Sequence, residues 1–300
     1  MKRNSIHLLI PIFVICFLNV HIGRSQTEGS KTVFWEISGN GLEQNSYLFG
    51  TIHIIPKAEF EKFSKADNIL KDCDQLILEM AIDVPFSQQL EWAKQLILPG
   101  GESLQNYMIE EDFIRLKSYA IDSLQIKESS FKNYLRLKPF AFYSALIPNV
   151  IGKKIESYEL HFSRISKKKL IPVAELESFE IQLAIFDSIS NEDQLKMFFS
   201  EDLDLKKEME ALLRIYKSQD IYEMASLIND DKDEYANFEN ELITQRNKNW
   251  VIKLDALMKK KSSFIAVGAG HLAGENGLIK LLRESGYSVD GICLISDCEL

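Results

Sequence analysis

The sequence predicts a single α/β domain, with a central sheet built from strands near both ends of the chain and a long helical region in the middle. Short apolar segments rich in β-branched and aromatic residues lie near both ends, at 33–38 and 263–269. Over 86–165 and 179–262 the apolar residues instead follow helical spacing. With 300 residues, 46% of them hydrophobic, the chain can bury a sizeable core.

The first elements follow from local patterns. Residues 33–38 and 46–53 read as strands, and Gly39-Asn40-Gly41 supplies the turn chemistry between them. The segment 58–71 places its apolar residues on one helical face. Leu76 to Ile82 is a nearly unbroken apolar run, which indicates a central strand covered on both faces.

The later elements are predicted in the same way. Helices over 86–165 break at Pro99-Gly100-Gly101, and Gly286 ends the last predicted helix. The remaining predicted elements are a strand over 170–176, several helices over 179–262, a strand over 263–269, a helix over 272–285 and a strand over 287–295.

The N-terminal segment has the pattern of a signal peptide. Lys2 and Arg3 precede an apolar run of 11 residues over 8–18, which is too short to cross a bilayer. We therefore predict a signal peptide over 1–26 and one domain over 27–300, exported to the periplasm or the extracellular space. An uncleaved membrane anchor is the alternative for this segment, and no second long apolar run follows it.

Charge and cysteine content limit the partners and the redox chemistry. The formal net charge is −9, so we expect no nucleic-acid partner. Cys73, Cys293 and Cys298 lie beyond the predicted signal peptide, and this odd number leaves at least one thiol unpaired. The sequence leaves their pairing and the oligomeric state open.

Two histidines occur in the same Gly-x-x-His pattern, each after a predicted strand. They are His53, in 50–53, and His271, in 268–271. Strand ends of one sheet can bring such side chains together, for metal binding or acid–base chemistry. The alternative is two unrelated histidines, each hydrogen-bonded at its own strand end. The glycine-rich run 268–274 also suggests anion binding, but it has no Walker lysine.

Three charged side chains are predicted in apolar surroundings, where burying a charge costs free energy. Glu79 lies in the apolar run 76–82, and Arg246 lies on the apolar stripe of a helix predicted over 234–260. Glu177 follows another strand and shares a face with Glu175. Each residue also has a simpler explanation. The two glutamates could face water at the ends of their strands, and the aliphatic part of the Arg246 side chain could lie on the apolar stripe with its guanidinium in water.

These segments together resemble the TraB/PrgY/GumN family, which includes the Tiki proteases and lies in a wider clan with erythromycin esterases and ChaN-like proteins. The likeness covers nearly the whole chain after the predicted signal peptide. Ser157-Tyr158-Glu159 departs from the family's Gly-hydrophobic-Asp pattern, so we assign no role to Glu159. The matching segments are 47–53, 76–82, Lys138-Pro139-Phe140, Leu176-Glu177-Ser178 with Gln182, Arg246-Asn247 and 266–277.

The resemblance implies an exported metal-dependent hydrolase, a peptidase acting on a peptide or small-molecule substrate. His53, His271 and Glu79 would bind a divalent ion such as manganese, cobalt or zinc. Glu177 would act as general base or support a ligand, and Arg246 would pair with a carboxylate or steady an oxyanion. Two alternatives stay open: a metal-free esterase, and a protein that sequesters a ligand without turnover.

Overall fold

A six-stranded mixed sheet lies at the centre of the structure, with the strand order β6-β4-β7-β2-β1-β8. Its strands are β1 (Phe34–Gly39), β2 (Ser46–Thr51), β4 (Gln75–Leu78), β6 (Val173–Glu175), β7 (Ser263–Gly268) and β8 (Tyr287–Gly291). Two further strands, β3 (Ile55–Pro56) and β5 (Ile155–Glu156), pair with each other. This computed structural model describes residues 31–61, 63–152, 154–199, 204–228 and 240–294.

Helices make up most of the rest of the described chain, and most of them lie between β4 and β7. The helices are α1 (Ser64–Asp72), α2 (Phe86–Gln95), α3 (Glu110–Ser118), α4 (Glu128–Tyr134), α5 (Pro139–Val150), α6 (Tyr158–Lys169), α7 (Phe179–Asp187), α8 (Asn191–Phe198), α9 (Leu205–Lys217), α10 (Ile221–Ile228), α11 (Gln245–Met258) and α12 (Leu278–Glu284). Short 3-10 or π turns cover Pro99–Gly101, Leu104–Tyr107, Tyr119–Ser123, Asn240–Thr244 and Ala269–His271.

Four neighbouring strands are parallel, which brings their carboxyl ends to one edge of the sheet. In the register of β2 and β7, Thr51 lies opposite Gly268. On the other side of β7, Leu78 of β4 lies opposite Ala266, and Glu175 of β6 lies opposite Leu78. Side chains just beyond these residues therefore meet at one place, as ligand sites of α/β sheets commonly do.

Two hydrophobic clusters lie on either side of this carboxyl edge of the parallel strands. The first surrounds the sheet, where Phe162 of α6 packs edge-on against Phe49 of β2 and Phe264 of β7. The second lies among the helices of the middle region and includes Ile54 and Met80, the residues that follow His53 and Glu79. The candidate site therefore lies at the boundary between the sheet and the helical region.

The observed fold confirms the predicted α/β class and corrects several element bounds. The central strand ends at Leu78, so Glu79 lies one residue beyond it. The strand predicted over 170–176 starts only at Val173, because Ser166 of α6 bonds both the N–H and the carbonyl of Ile171. The helix predicted over 272–285 begins at Leu278.

Other predictions fall partly or wholly outside the described residues. These are the signal peptide over 1–26, the start of the helix predicted over 234–260, and Cys298. Cys73 is a buried free thiol, and Cys293 is disulfide-bonded. Across the described ranges, none of the helices combines the length and apolar character needed to cross a membrane.

Candidate active site

The structure places all five predicted side chains in one cluster at the carboxyl edge of the parallel strands. His53 follows β2, Glu79 follows β4 and Glu177 follows β6. His271 ends the turn after β7, and Arg246 lies in the first turn of α11. Their catalytic and metal-binding roles remain predictions.

The first histidine is held by a carboxylate that the sequence did not single out. The Nδ1 atom of His53 lies 2.6 Å from Oε1 of Glu159, which projects from the first turn of α6. Glu159 also accepts hydrogen bonds from the hydroxyls of Thr51 and Ser157. This arrangement fixes the imidazole ring, so that Nε2 lies 3.8 Å from Oε1 of Glu79.

This pairing changes the acid–base behaviour of both partners. Burial lowers the pKa of His53, but the charge and hydrogen bond of Glu159, with the charge of Glu79, outweigh burial and raise that pKa to about 9. Burial raises the pKa of Glu159, and the charge of His53 with three side-chain hydrogen bonds brings it below its ordinary value. At neutral pH the site therefore holds an imidazolium and a carboxylate as a pair.

The second histidine is held by an amide instead. Asn247 donates from Nδ2 to the carbonyls of His271 and Asn276, so its Oδ1 is left as an acceptor. That oxygen lies 2.7 Å from Nδ1 of His271, which therefore carries the proton. The unprotonated Nε2 faces Nη1 of Arg246 at 3.2 Å.

His271 is consequently neutral. It is almost fully buried, and burial together with the adjacent Arg246 lowers its pKa to about 3. The ring stacks at a tilt on Trp250, with 4.4 Å between centroids.

Arg246 ties two carboxylates together in the centre of the cluster. It donates to Oε2 of Glu79 at 2.6 Å and, through Nε, to Oε1 of Glu177 at 2.9 Å. Nη1 also donates to the carbonyl of Leu242 at 3.0 Å. Its Cζ atom lies 4.6 Å from the ring centroid of Trp250, a cation–π contact. Of the readings left open by the sequence, the structure shows carboxylate pairing and not snorkelling.

The two carboxylates have few free lone pairs. Besides its bonds to Arg246, Glu177 accepts from Nε2 of Gln182 at 2.8 Å and from the indole of Trp250 at 3.1 Å. Glu79 accepts from the backbone N–H of Gly268 at 2.7 Å. Burial raises the pKa of Glu79, but the charge of Arg246, supported by the two histidines and this N–H, lowers it to about 2.

The glycine of the second motif leaves room for His53 and Glu79. A Cβ atom at Gly268 would lie 3.1 Å from Nε2 of His53 and 3.2 Å from Oε1 of Glu79. Any side chain here would push into the gap between the histidine and the carboxylate. Glycine at the end of β7 thus lets the strand approach the reactive groups closely.

Access to solvent is concentrated on one member. The His53 side chain is 18% exposed, against 6% for Arg246 and 4% for Glu177. His53 is therefore the group best placed to touch a substrate. Together with Glu159, the cluster holds three carboxylates and the cations of Arg246 and His53, so the net charge of the group is −1.

The predicted metal site fits these residues at two of its three positions. His53 Nε2 and Glu79 Oε1 face each other, and a carboxylate on Nδ1 is the usual support of a metal-binding histidine. The third ligand does not fit, because Nε2 of His271 is occupied by Arg246. No group of three His, Cys, Asp or Glu side chains in the described part of the chain is arranged to hold a metal.

Three supporting residues were not assigned roles from the sequence. Glu159 holds His53, Asn247 holds His271, and Trp250 contacts both Glu177 and His271. The signal for Glu159 was available, since it shares a buried helical face with Phe162 and Ser166 of α6. A carboxylate on such a face requires a partner.

Two neighbouring residues lie outside the cluster. Glu175, predicted to share a face with Glu177, has a different partner, because its carboxylate accepts from the N–H of Ala81 at 3.0 Å. The His161 side chain is 12% exposed and lies 2.7 Å from Asp67. Both residues belong to the structure around the site.

The chain is similar to several proteins that are named metalloproteases. The metalloprotease TIKI2 of Xenopus tropicalis is 23% identical to the chain over 303 residues, covering 82% of the chain and 57% of the relative. The metalloprotease TIKI1 of Danio rerio is 21% identical, covering 82% and 60%. A metalloprotease TIKI homolog of Nematostella vectensis is 39% identical over 56 residues, 18% of the chain and 12% of the relative.

The first two matches thus span somewhat under two thirds of each relative's length. The profile of the TraB/PrgY/gumN family matches residues 33–291, which include every residue of the cluster. The chain belongs to the TraB/PrgY/gumN family.

Proposed function

We propose that this chain is an exported hydrolase that cleaves peptide bonds, with His53 as the group that moves protons. One observation carries the proposal: His53, the most exposed side chain of the cluster, is held on Nδ1 by Glu159 and has its Nε2 beside Glu79. Two relatives are named metalloproteases, which favours a peptide as the substrate class.

The geometry supports one imidazole serving as base and then as acid. The deprotonated form of His53, which the raised pKa makes the minor form at neutral pH, takes a proton from the attacking water at Nε2. The resulting imidazolium then delivers that proton to the leaving amine. Glu159 keeps the ring in position and stabilises its positive charge, as does the carboxylate of Glu79. A pKa of about 9 makes this histidine a strong base once it has lost its proton.

The other cluster members position these groups. Both oxygens of Glu177 are occupied, which favours a supporting role over that of a general base. Arg246 is likewise occupied by carboxylates and a carbonyl, so it holds Glu79 in place and has no donor aimed at an open oxyanion site. Asn247 fixes the proton of His271 on Nδ1.

The predicted divalent ion, manganese, cobalt or zinc, belongs to an alternative form of this proposal, because Nε2 of His53 cannot bind an ion and accept a proton from water at the same time. His53 and Glu79 are the described side chains that would hold it, and the ion would supply a bound water of lowered pKa.

The test compares His53→Asn with His161→Asn, a matched control. His161 is also partly buried and paired with a carboxylate, Asp67, but lies outside the cluster. Each protein is stripped of metal, loaded with manganese, cobalt or zinc, desalted and incubated with a peptide library read by mass spectrometry. We expect cleavage by the wild type and by His161→Asn, with at least a ~100-fold loss in His53→Asn.

The same samples test the ion. We expect bound metal in the wild type and in His161→Asn, and little in the His53→Ala/His271→Ala variant. Cleavage with no retained metal would point to the metal-free hydrolase. Peptide binding without cleavage under every loading would reject the hydrolase and leave the sequestering protein.

A further inference from the structure

The strand β6 ends the sheet, and one side of it lies open among the described residues. The carbonyl of Pro172 and the N–H of Leu176 bond to β4, at Leu76 and Leu78. Because successive residues of a strand direct their backbone groups to opposite sides, Val173 and Glu175 direct theirs to the open side. Each presents one N–H and one carbonyl there.

A cavity of about 550 Å³ adjoins this strand. Its walls come from β4, the segment that follows β4, β6 and α6, and they combine apolar with polar side chains. A salt bridge of 2.7 Å between Lys167 and Asp83 joins two of the lining residues. Val173, which lines it, is 47% exposed. The apolar residues on the cavity wall include Ile82, Ile171, Val173 and Ala174.

We propose that the open side of β6 binds the peptide substrate as an added strand, with one of its apolar side chains in the adjoining cavity. This rests on the proposed hydrolysis of peptides. The strand leads directly to the candidate site, because Glu177 follows Glu175 by two residues, about 7 Å of extended chain.

The observations select an extended peptide over other ligands. Backbone donors and acceptors that alternate along an open strand match another extended backbone, while the cavity matches a side chain at the strand's spacing. A small molecule would occupy the cavity but leave the outward N–H and carbonyl groups of Val173 and Glu175 without hydrogen-bond partners. Pairing with a second copy of this chain is the rival occupant, and the test below separates it.

The main variant is Val173→Pro, which removes the outward N–H without touching the bonds to β4. Val173→Ala keeps that N–H and is the matched control. A second variant, Ser163→Phe, fills the cavity from α6 and leaves the strand intact. All three are made in the His53→Asn background, so that binding is measured independently of turnover.

The probe is a capped, fluorescein-labelled pentapeptide, Ser-Thr-Leu-Thr-Ser, followed by fluorescence polarisation. We expect Val173→Pro to weaken binding at least about fivefold, the effect of one lost backbone hydrogen bond, and Val173→Ala to weaken it less. Ser163→Phe should weaken binding of this peptide more than that of the same peptide with a central glycine. An analogue N-methylated at alternate residues should bind as weakly as the proline variant does.

Hydrogen exchange of residues 172–176 gives an independent readout of the site. Protection on adding the probe supports the proposal even if no cleavage is found, so the two proposals fail separately. Equal binding by all variants, or probe binding without protection of these amides, would overturn it. So would a dimer that Val173→Pro abolishes and the probe does not displace, since the open side would then belong to a second copy.

Discussion

The two Gly-x-x-His motifs end neighbouring parallel strands, yet their histidines have opposite properties. His53 is paired with the carboxylate of Glu159, is partly exposed and has a pKa raised to about 9. His271 is paired with the amide of Asn247, lies beside Arg246 and has a pKa lowered to about 3. The motif thus places the ring, while the partner of Nδ1 and the nearest charge decide its chemistry.

Of the changes considered, removal of Arg246 should have the largest effect on the cluster and on the difference between the two histidines. Arg246→Met leaves Glu79 and Glu177 buried without their cation, and we expect the free energy of unfolding to fall by about 3–5 kcal/mol. The pKa of His271 should rise, because the neighbouring positive charge is gone. Urea unfolding measures the first effect and NMR titration of the imidazole the second.

Arg214→Met is the control for that experiment. Arg214 pairs with Glu223 at 3.3 Å and is 66% exposed, so its removal should cost at most about 1 kcal/mol. Equal losses for the two variants would show that Arg246 is not the centre of the cluster's stability.

Glu159→Gln should remove what distinguishes His53. The folded pKa of about 9 exceeds the ordinary 6.5, so the pair stabilises the protein fully below pH 6.5, and this contribution disappears as the pH rises through 9. The contribution is roughly 3 kcal/mol at most. Urea unfolding at pH 6 and pH 9.5 should therefore show the wild type and Glu159→Gln converging at the higher pH.

His53→Asn is the companion variant, because it removes the titrating ring itself. It should show the same reduced pH dependence as Glu159→Gln between pH 6 and 9.5. A wild-type advantage that stays constant across this range would contradict the charge pairing.

The smallest effect compares the two motif glycines. A Cβ at Gly50 would lie 2.9 Å from Cδ2 of Leu272 and 3.1 Å from Cα of Ala269, so Gly50→Ala should cost about 1–3 kcal/mol through overpacking. Gly268→Ala meets movable side chains instead and should cost less.

Gly268→Ala should, however, change His53 more than Gly50→Ala does. By pressing Nε2 of His53 away from Glu79, it should lower the pKa of His53, as followed by NMR. A larger loss of unfolding free energy for Gly268→Ala than for Gly50→Ala would contradict the expectation that the neighbours of Gly268 can move.

The sequence was most informative where two patterns agreed. Paired motifs after apolar strands pointed to His53 and His271, and charges within apolar patterns pointed to Glu79 and Arg246. Because the parallel strands have aligned carboxyl ends, the side chains that follow these strands come together at one edge of the sheet.

The sequence was least informative where contacts join distant segments. Glu159 lies 106 residues from His53, and nothing local to either residue identifies the other. The difference between the two histidines depends on such long-range contacts. From the sequence alone the two identical motifs looked equivalent, so the same metal-binding role was predicted for both. Bounds such as the end of β4 at Leu78 also depend on tertiary hydrogen bonds, here those of Leu176 and Glu177 to the carbonyl of Glu79.

The spacing of the cluster along the chain has a consequence for folding kinetics. The bond from the N–H of Gly268 to Glu79 closes a loop of 189 residues, and other bonds of the cluster join residues 106 and 167 positions apart. Such high contact order slows folding, because the entropy of closing long loops is lost before the contacts form. Chemical competence therefore requires β7 and the turn after it to be in place, so a chain synthesised only as far as β6 should have none.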